Sequence, residues 1–267
     1  MELTFCPLYS GSSGNALFVA AGNTRILIDA GLSGKATEEA LKKVCVLPET
    51  LDAIVVTHEH SDHVRGVGIL SRKYHLPVYA NEPTFQAMAH SIGTIEPRNV
   101  RIFDTDGDFF IGDLALRPIP IPHDAAEPVG YRVYYGGHSL SVATDMGYIK
   151  KSVFQMLAGS NLILLESNHD PDLVRRNEHY TARLKERILS NHGHLSNEAS
   201  ARALCELQGT GVKQVILGHL SGENNTPELA MTTAVNTLAA NGIAPGRDVQ
   251  VDMAWRDRVG SVYTIGS

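Results

Sequence analysis

The sequence predicts an α/β protein with mixed sheets, and three observations predict it. Apolar runs of strand length alternate with helically spaced stretches through the first hundred residues, short strands with turn signals fill the middle, and the alternation returns after Tyr148. The 267 residues suffice for one large core. No repeat, low-complexity linker or long Pro/Gly tract marks a boundary, so residues 1–267 read as a single domain.

Leu3 to Tyr9 and Ala16 to Ala20 read as strands joined by the tight turn Ser10-Gly11-Ser12-Ser13-Gly14-Asn15; such a composition is usually only a turn, the alternative being that its backbone amides approach an anion. Arg25 to Gly31 is a third strand, ending in Asp29 and a glycine. Thr37 is the expected N-cap of a helix with Glu38 and Glu39 in its first turn, Lys42 and Lys43 late, and a stripe of Ala40, Leu41, Val44 and Cys45. A strand over Leu51 to Val56 follows, then a helix over Val64 to His75 and a strand over Pro77 to Ala80. His75 and His90 have no metal-binding company and read as structural or exposed.

Five strands make the middle meander: Val100 to Phe103, Phe109 to Ile111, Leu114 to Ile121, Gly130 to Tyr135 and Ser139 to Ala143. Asp106-Gly107 and Gly136-Gly137 read as hairpin turns between them. Beyond Tyr148 come a helix, a strand at Leu162 to Leu165, helices at Thr181 to Leu189 and Asn197 to Leu207, a strand at Gln214 to Leu217 and a helix at Pro227 to Ala240. Such an order suggests sheets packed on each other with helices outside.

The net charge of -6 gives no global basic field to advertise nucleic acid. Two divalent cations would nevertheless add about four positive charges locally. Arg175, Arg176, Arg183, Lys185 and Arg187 form one basic segment, diluted by Glu178 and Glu186. Cys6, Cys45 and Cys205 are few and far apart, which indicates neither a disulfide framework nor a thiolate metal knuckle and points to a reducing cytoplasm. The start, Met1-Glu2-Leu3-Thr4-Phe5, lacks the features of a signal peptide, and no run approaches the roughly eighteen apolar residues of a membrane span, so no membrane contact is expected.

Thr57-His58-Glu59-His60-Ser61-Asp62-His63 is the stretch that carries chemistry. Three imidazoles and a carboxylate at the end of a buried strand are costly as packing and well suited to zinc, manganese or iron. Residues two apart in extended chain point to one side, so His58 and His60 can share an ion, while a turn lets Asp62 and His63 reach a second. The plainer reading is a solvated loop rich in histidine. Three further candidates stand at ends of apolar strands: His123 after Ile119-Pro120-Ile121-Pro122, Asp145 after Ser141-Val142-Ala143-Thr144, and His219 after Val215-Ile216-Leu217-Gly218. Together they give seven N/O donors, enough for two ions sharing one carboxylate.

His-x-His-x-Asp-His followed by His123, Asp145 and His219 resembles the five-motif signature of the metallo-β-lactamase superfamily. That resemblance implies a four-layer αβ/βα sandwich with metals at one sheet edge. It also implies that His58, His60 and His123 hold one ion, Asp62, His63 and His219 the other, and that Asp145 bridges them. The surrounding words are similar to the YycJ/WalJ (VicX) family: Ser10 to Asn15, His123-Asp124-Ala125 with Pro128-Val129-Gly130-Tyr131, Glu166-Ser167-Asn168-His169-Asp170, Gly193-His194-Leu195-Ser196-Asn197, and Gly218-His219-Leu220-Ser221 with Asn224-Asn225. Cys6-Pro7-Leu8-Tyr9 departs from that family's usual start but touches no ligand.

The resemblance implies a metal-dependent DNA exonuclease acting from the 5′ end of duplex DNA and linked to mismatch repair, with repair proteins as possible partners. Glu166 and His194 are laid out like a Glu and His pair of tRNase Z that flanks the scissile phosphodiester. In this scheme Asp62 orients the attacking water, and His194, oriented by Glu166, serves the departing oxygen. Ser196 is a good cap for the next helix, whose free N–H groups would make a phosphate site beside His194. His169 either lines the site or supports it. Rival readings are a hydrolase of a small cyclic phosphodiester, lactone or thioester, and a non-catalytic regulatory binding protein; against the last stands the presence of all seven candidate donors. Zinc and manganese suit these donors alike, and oligomeric state is not legible.

Overall fold

Strands apolar at every position need cover on both faces. In the computed structural model, which describes residues 1–266, two stacked seven-stranded sheets with helices on both outer faces provide it. The first sheet holds β1 (Leu3–Tyr9), β2 (Ala16–Ala21), β3 (Thr24–Ile28), β4 (Ala53–Val55), β5 (Val78–Ala80) and β6 (Val100–Ile102). The second holds β7 (Phe109–Ile111), β8 (Leu114–Pro120), β9 (Val129–Tyr135), β10 (His138–Ala143), β11 (Leu162–Glu166), β12 (Gln214–Gly218) and β13 (Gln250–Met253). The last strand, β14 (Tyr263–Ile265), returns to the first sheet and pairs antiparallel with β1. Against the first sheet lie α1 (Gly34–Lys43), α2 (Ser61–Val64), α3 (Val67–Tyr74) and α4 (Glu82–Ile92); α5 (Lys151–Leu157), α6 (Pro171–Arg176), α7 (Ala182–Leu189), α8 (Asn197–Gln208) and α9 (Pro227–Ala240) belong to the second half.

The period-two alternation of each strand divides its side chains between two cores. Ile26, Ile28, Ala53 and Val55 face the layer between the sheets, where Leu162 and Leu164 meet them. Leu27 and Ile54 face α1, α3 and α4, and Ile163 and Leu165 face α5, α8 and α9. Helix, sheet, sheet, helix is the four-layer sandwich expected.

Both sheets share a plan. Each begins with three antiparallel pairings and continues with three parallel ones, switching at β3 in the first sheet and β10 in the second. Carboxyl ends of strands beside such a switch are where open α/β sheets place their ligands. Asp29 follows β3 and Asp145 closely follows β10, each in the left-handed backbone region, at φ 61° and 60°. No sequence repeat announced this duplication.

Several local expectations need correction. Ser33 caps α1, its Oγ accepting from Ala36 N at 3.2 Å, whereas Thr37 is buried a turn inside and donates back to Ser33 O. Cys45 turns left-handed at φ 58° and is exposed, so the stripe of Ala40 and Leu41 ends with the partly buried Val44 at the helix cap. The helix expected over Val64 to His75 is broken at Gly66, which runs against the chain leaving β3, its N–H donating to Ala30 O at 2.7 Å. The third strand stops at Ile28 where Asp29 turns away. Asp106-Gly107 is no hairpin: β6 and β7 edge different sheets, and this link crosses between them. Gly136-Gly137 does close the hairpin of β9 and β10.

Candidate metal centre

Every expected donor stands on a short connection leaving the carboxyl end of a strand. His58 and His60 follow β4, with His60 at the head of α2, which carries Asp62 and His63. His123 follows β8, Asp145 β10 and His219 β12. Tyr131 ties the halves together, its hydroxyl donating to Val56 O just before the histidine loop.

The seven side chains converge. His60 Nδ1 lies 3.1 Å from His58 Nε2 and 3.3 Å from His123 Nε2. On the other side, Asp62 Oδ2 is 3.6 Å from His63 Nε2 and 3.7 Å from His219 Nε2. Asp145 faces both groups: Oδ2 is 3.4 Å from His63 Nε2, and Oδ1 is 3.4 Å from His219 Nε2 and 3.9 Å from His123 Nε2. His58, His60 and His123 form one candidate ion site, and Asp62, His63 and His219 another.

Each buried ring is aimed by its far nitrogen. His63 Nδ1 donates to Asp29 Oδ2 at 2.7 Å, His123 Nδ1 to Gly193 O at 3.1 Å, and His219 Nδ1 to Glu166 Oε1 at 3.0 Å. Thr57 Oγ1 donates to Asp29 Oδ2, leaving its lone pairs for His58 Nδ1 at 3.0 Å. Outer partners of this kind fix tautomer and ring angle and leave the inward nitrogen basic. Asp29 had no assigned role in the sequence reading; its signal was the same strand-end carboxylate pattern that marked Asp145.

Do these residues fit divalent cations? Asp145 Oδ2 and His219 Nε2 are buried at the middle of the cluster without a hydrogen-bond partner, a costly state that a cation relieves. Three inward ring nitrogens crowd at 3.1 to 3.3 Å, a spacing that suits donors around one ion. Burial pushes His58 well below the ordinary imidazole value, with His63 adding to the effect, and burial lowers His123 also. Burial opposes charge on His63 and His219 too, but there the carboxylates win: Asp145 and Asp29 raise His63 well above its usual value, and Asp145, Asp62 and Glu166 raise His219 to about 10. The carboxylates thus demand nearby positive charge, which protons supply on two rings and divalent cations can supply in their place. The donor set fits.

Glu166 belongs beside this set and not in it. Oε1 accepts from His194 Nδ1 at 2.7 Å and from His219 Nδ1, while Oε2 accepts from Met146 N and Leu195 N. Burial would raise this carboxyl, yet His194 and His219 hold it at about 2. With its lone pairs so occupied it is an orienting anion. His194, at the rim and partly exposed, is also 3.8 Å from Asp145 Oδ1.

The Ser10 to Asn15 turn is a brace. Gly11 N donates to Asn15 Oδ1, Asn15 N to Asp62 O, and His219 N to Ser10 Oγ, each at 2.8 to 2.9 Å. The turn is thus a structural one, tied through Asn15 and Ser10 to the two ligand loops. At the head of α8, Ser196 caps the helix as expected, its Oγ accepting from Ala199 N, and Asn197 N donates to His169 O, so two of the first-turn amides are already engaged. His169 is buried, with Nδ1 3.3 Å from Asn168 Oδ1, and burial lowers it to about 4; it stands outside the donor clusters and braces α8. In the basic segment, Arg187 pairs with Asp124 beside His123, Arg175 pairs with Asp172, and Lys185 donates to Arg175 O. His75 and His90 are exposed, as expected.

Gly31 carries a sharp steric demand. A Cβ there would lie 1.6 Å from Asp62 O, so Gly31→Ala must push the Asp62 loop out of place. The expected loss is about 3 kcal/mol or more of stability, at the upper end for overpacking, read by denaturant unfolding, with bound metal falling in parallel.

The Beta-lactamase superfamily domain family matches residues 24–220, most of the chain, which makes this a member of that superfamily. Exodeoxyribonuclease WalJ of Streptococcus pneumoniae serotype 2 is 42% identical over 246 residues, 91% of this chain and 91% of that protein. Exodeoxyribonuclease YycJ of Bacillus anthracis is 40% identical over 251 residues, 94% of this chain and 95% of that protein. The metallo-beta-lactamase fold protein YhfI from Bacillus subtilis, at 17% identity, superposes with a TM-score of 0.73 over 99% of this chain and 100% of its own, and shows the shared fold. The chain belongs to the WalJ/YycJ family and is a metal-dependent hydrolase that uses divalent metal. Among the described residues, no helix is long and apolar enough to cross a membrane.

Proposed function

We propose that the chain is a single-domain exodeoxyribonuclease that digests duplex DNA from the 5′ end, with two divalent ions in the donor cluster. Zinc and manganese suit the donors, and iron is compatible. The observation that carries the reading is the juxtaposition of seven converging donors with the Glu166–His194 pair, 2.7 Å apart, at the rim. DNA as substrate is supported by the 40–42% identity to proteins named exodeoxyribonucleases.

In this reading His58, His60 and His123 would hold one ion and Asp62, His63 and His219 the other, with Asp145 placed to serve either. Ions bound there supply Lewis acidity to the phosphoryl group and make water nucleophilic near neutral pH. Burial pushes the Asp62 carboxyl up, but His219 and His63 hold it below the usual range, so it is an acceptor. Its place is to orient the attacking water by accepting a hydrogen bond from it. His194 has Nδ1 committed to Glu166, which leaves Nε2 to donate to the departing oxygen. Action in the cytoplasm, within mismatch repair and alongside repair proteins, belongs to the same proposal and rests on family membership alone.

Metal-loaded protein should release mononucleotides from 5′-labelled duplex DNA and leave a chromogenic lactone intact, with bis(p-nitrophenyl) phosphate hydrolysed slowly. Lactone turnover without any digestion of DNA under zinc, manganese or iron would overturn the proposal.

A further inference from the structure

We infer that a cavity on the far side of the His219 loop grips the phosphate backbone of the strand being digested, through Arg256 and Arg258; the inference rests on the nuclease reading above. The cavity, of about 270 Å³, is lined among others by Leu220, Ser221, Trp255, Arg256 and Arg258. It shares a wall with the metal centre. Leu220, next to His219, bridges to Gly11, and Ser10 links both sides by donating from N to Trp255 O while its Oγ accepts from His219 N, each at 2.9 Å.

Both arginines are exposed yet held in place. Arg256 lies across two bare stretches of backbone: a Cβ on Gly11 would be 2.7 Å from Arg256 Cγ, and one on Gly222 would be 2.0 Å from Arg256 Nη1. Arg258 stands over Trp255, its guanidinium carbon 3.6 Å from the ring centroid, a cation–π contact that holds the fork of donors in place. Arg98, Arg117, Arg175, Arg187 and Arg247 spend their charge on acidic partners. Among the described residues Arg256 and Arg258 pair with no carboxylate, although Asp257 stands between them and also lines the cavity.

A chain of net charge -6 repels DNA at long range, so it needs local positive charge where the strand meets the centre. Two pre-set guanidinium forks match phosphate oxygens in geometry and charge. Contacts to phosphate carry no sequence information, which suits an enzyme that must step along any strand.

The test compares the full-length, metal-loaded wild type with Arg256→Gln/Arg258→Gln on two substrates, 5′-phosphorylated duplex DNA and bis(p-nitrophenyl) phosphate, with duplex binding followed by fluorescence anisotropy in parallel. For the double variant, KM for DNA and the Kd for duplex should rise about 10–100-fold, the salt dependence of binding should flatten by about two phosphate contacts, and hydrolysis of the small diester should stay unchanged. Arg256→Lys/Arg258→Lys should recover part of the affinity, and the distant Lys43→Gln should match the wild type. Unaltered DNA affinity in the double variant, or equal loss on both substrates, would overturn the inference while leaving the nuclease reading intact. Wild-type protein that neither binds nor digests the duplex would defeat that reading and the inference with it.

Discussion

Asp145→Ala is expected to abolish turnover and to lower the bound metal, to one ion or none if the centre takes the two proposed. Asp145 is the only carboxylate among the described donors that lies within 4 Å of ring nitrogens from both triplets, at 3.4 Å from His63 and His219 and 3.9 Å from His123. Its removal takes away the charge that two ions would share, so at least about a thousandfold loss of kcat is expected, on the order of 4 kcal/mol of transition-state stabilisation. The metal-free protein should suffer as well. His63 and His219 lose the group that most raises them, although Asp29 still pairs with His63, and Glu166 and Asp62 with His219, so both rings should protonate less readily and some stability should be lost. Metal analysis, steady-state kinetics and denaturant unfolding in chelator read the three effects separately. Full metal content and activity in Asp145→Ala would remove the shared carboxylate from the account.

His194→Ala should slow turnover by about 10²–10⁴-fold, the range for loss of a positioned proton donor, with ion content unchanged. The two readings of this corner differ on that second point. Asp145, Glu166, His194 and His219 could be grouped around an ion of their own, in which case the variant would lose metal. The four hydrogen bonds already accepted by Glu166 argue for the orienting role. Glu166→Gln then disturbs both rings it holds, so catalysis should fall with His194 and ion affinity should fall about 10–100-fold through His219, the usual cost of losing an outer partner. Restored activity in Glu166→Asp would be a sign of charge and direction together.

The donors were legible because metal chemistry restricts residue type and places it at strand ends: His58, His60, Asp62 and His63 share one short loop, and His123, Asp145 and His219 each close an apolar run. The layers were legible from strands apolar on both faces, such as Leu162 to Leu165. What escaped was set by partners distant in sequence. Asp29 looks like a turn residue until the fold brings it to His63, thirty-four positions on. Asp106-Gly107 has the composition of a hairpin, yet the local chain cannot say that its two strands belong to different sheets. The helix break at Gly66 follows from its contact with Ala30, and β14 exists only because β1 offers it an edge. The bonds of the Asn15 and Asn197 amides were not legible because their acceptors, Asp62 O and His169 O, lie elsewhere in the sequence.

Anomalous diffraction from crystals of the manganese- or zinc-loaded protein tests the central claim most directly. Two peaks are expected about 3.5–4 Å apart, one among His58, His60 and His123, the other among Asp62, His63 and His219, with Asp145 touching both. A single peak, or ions held anywhere else on the molecule, would contradict it.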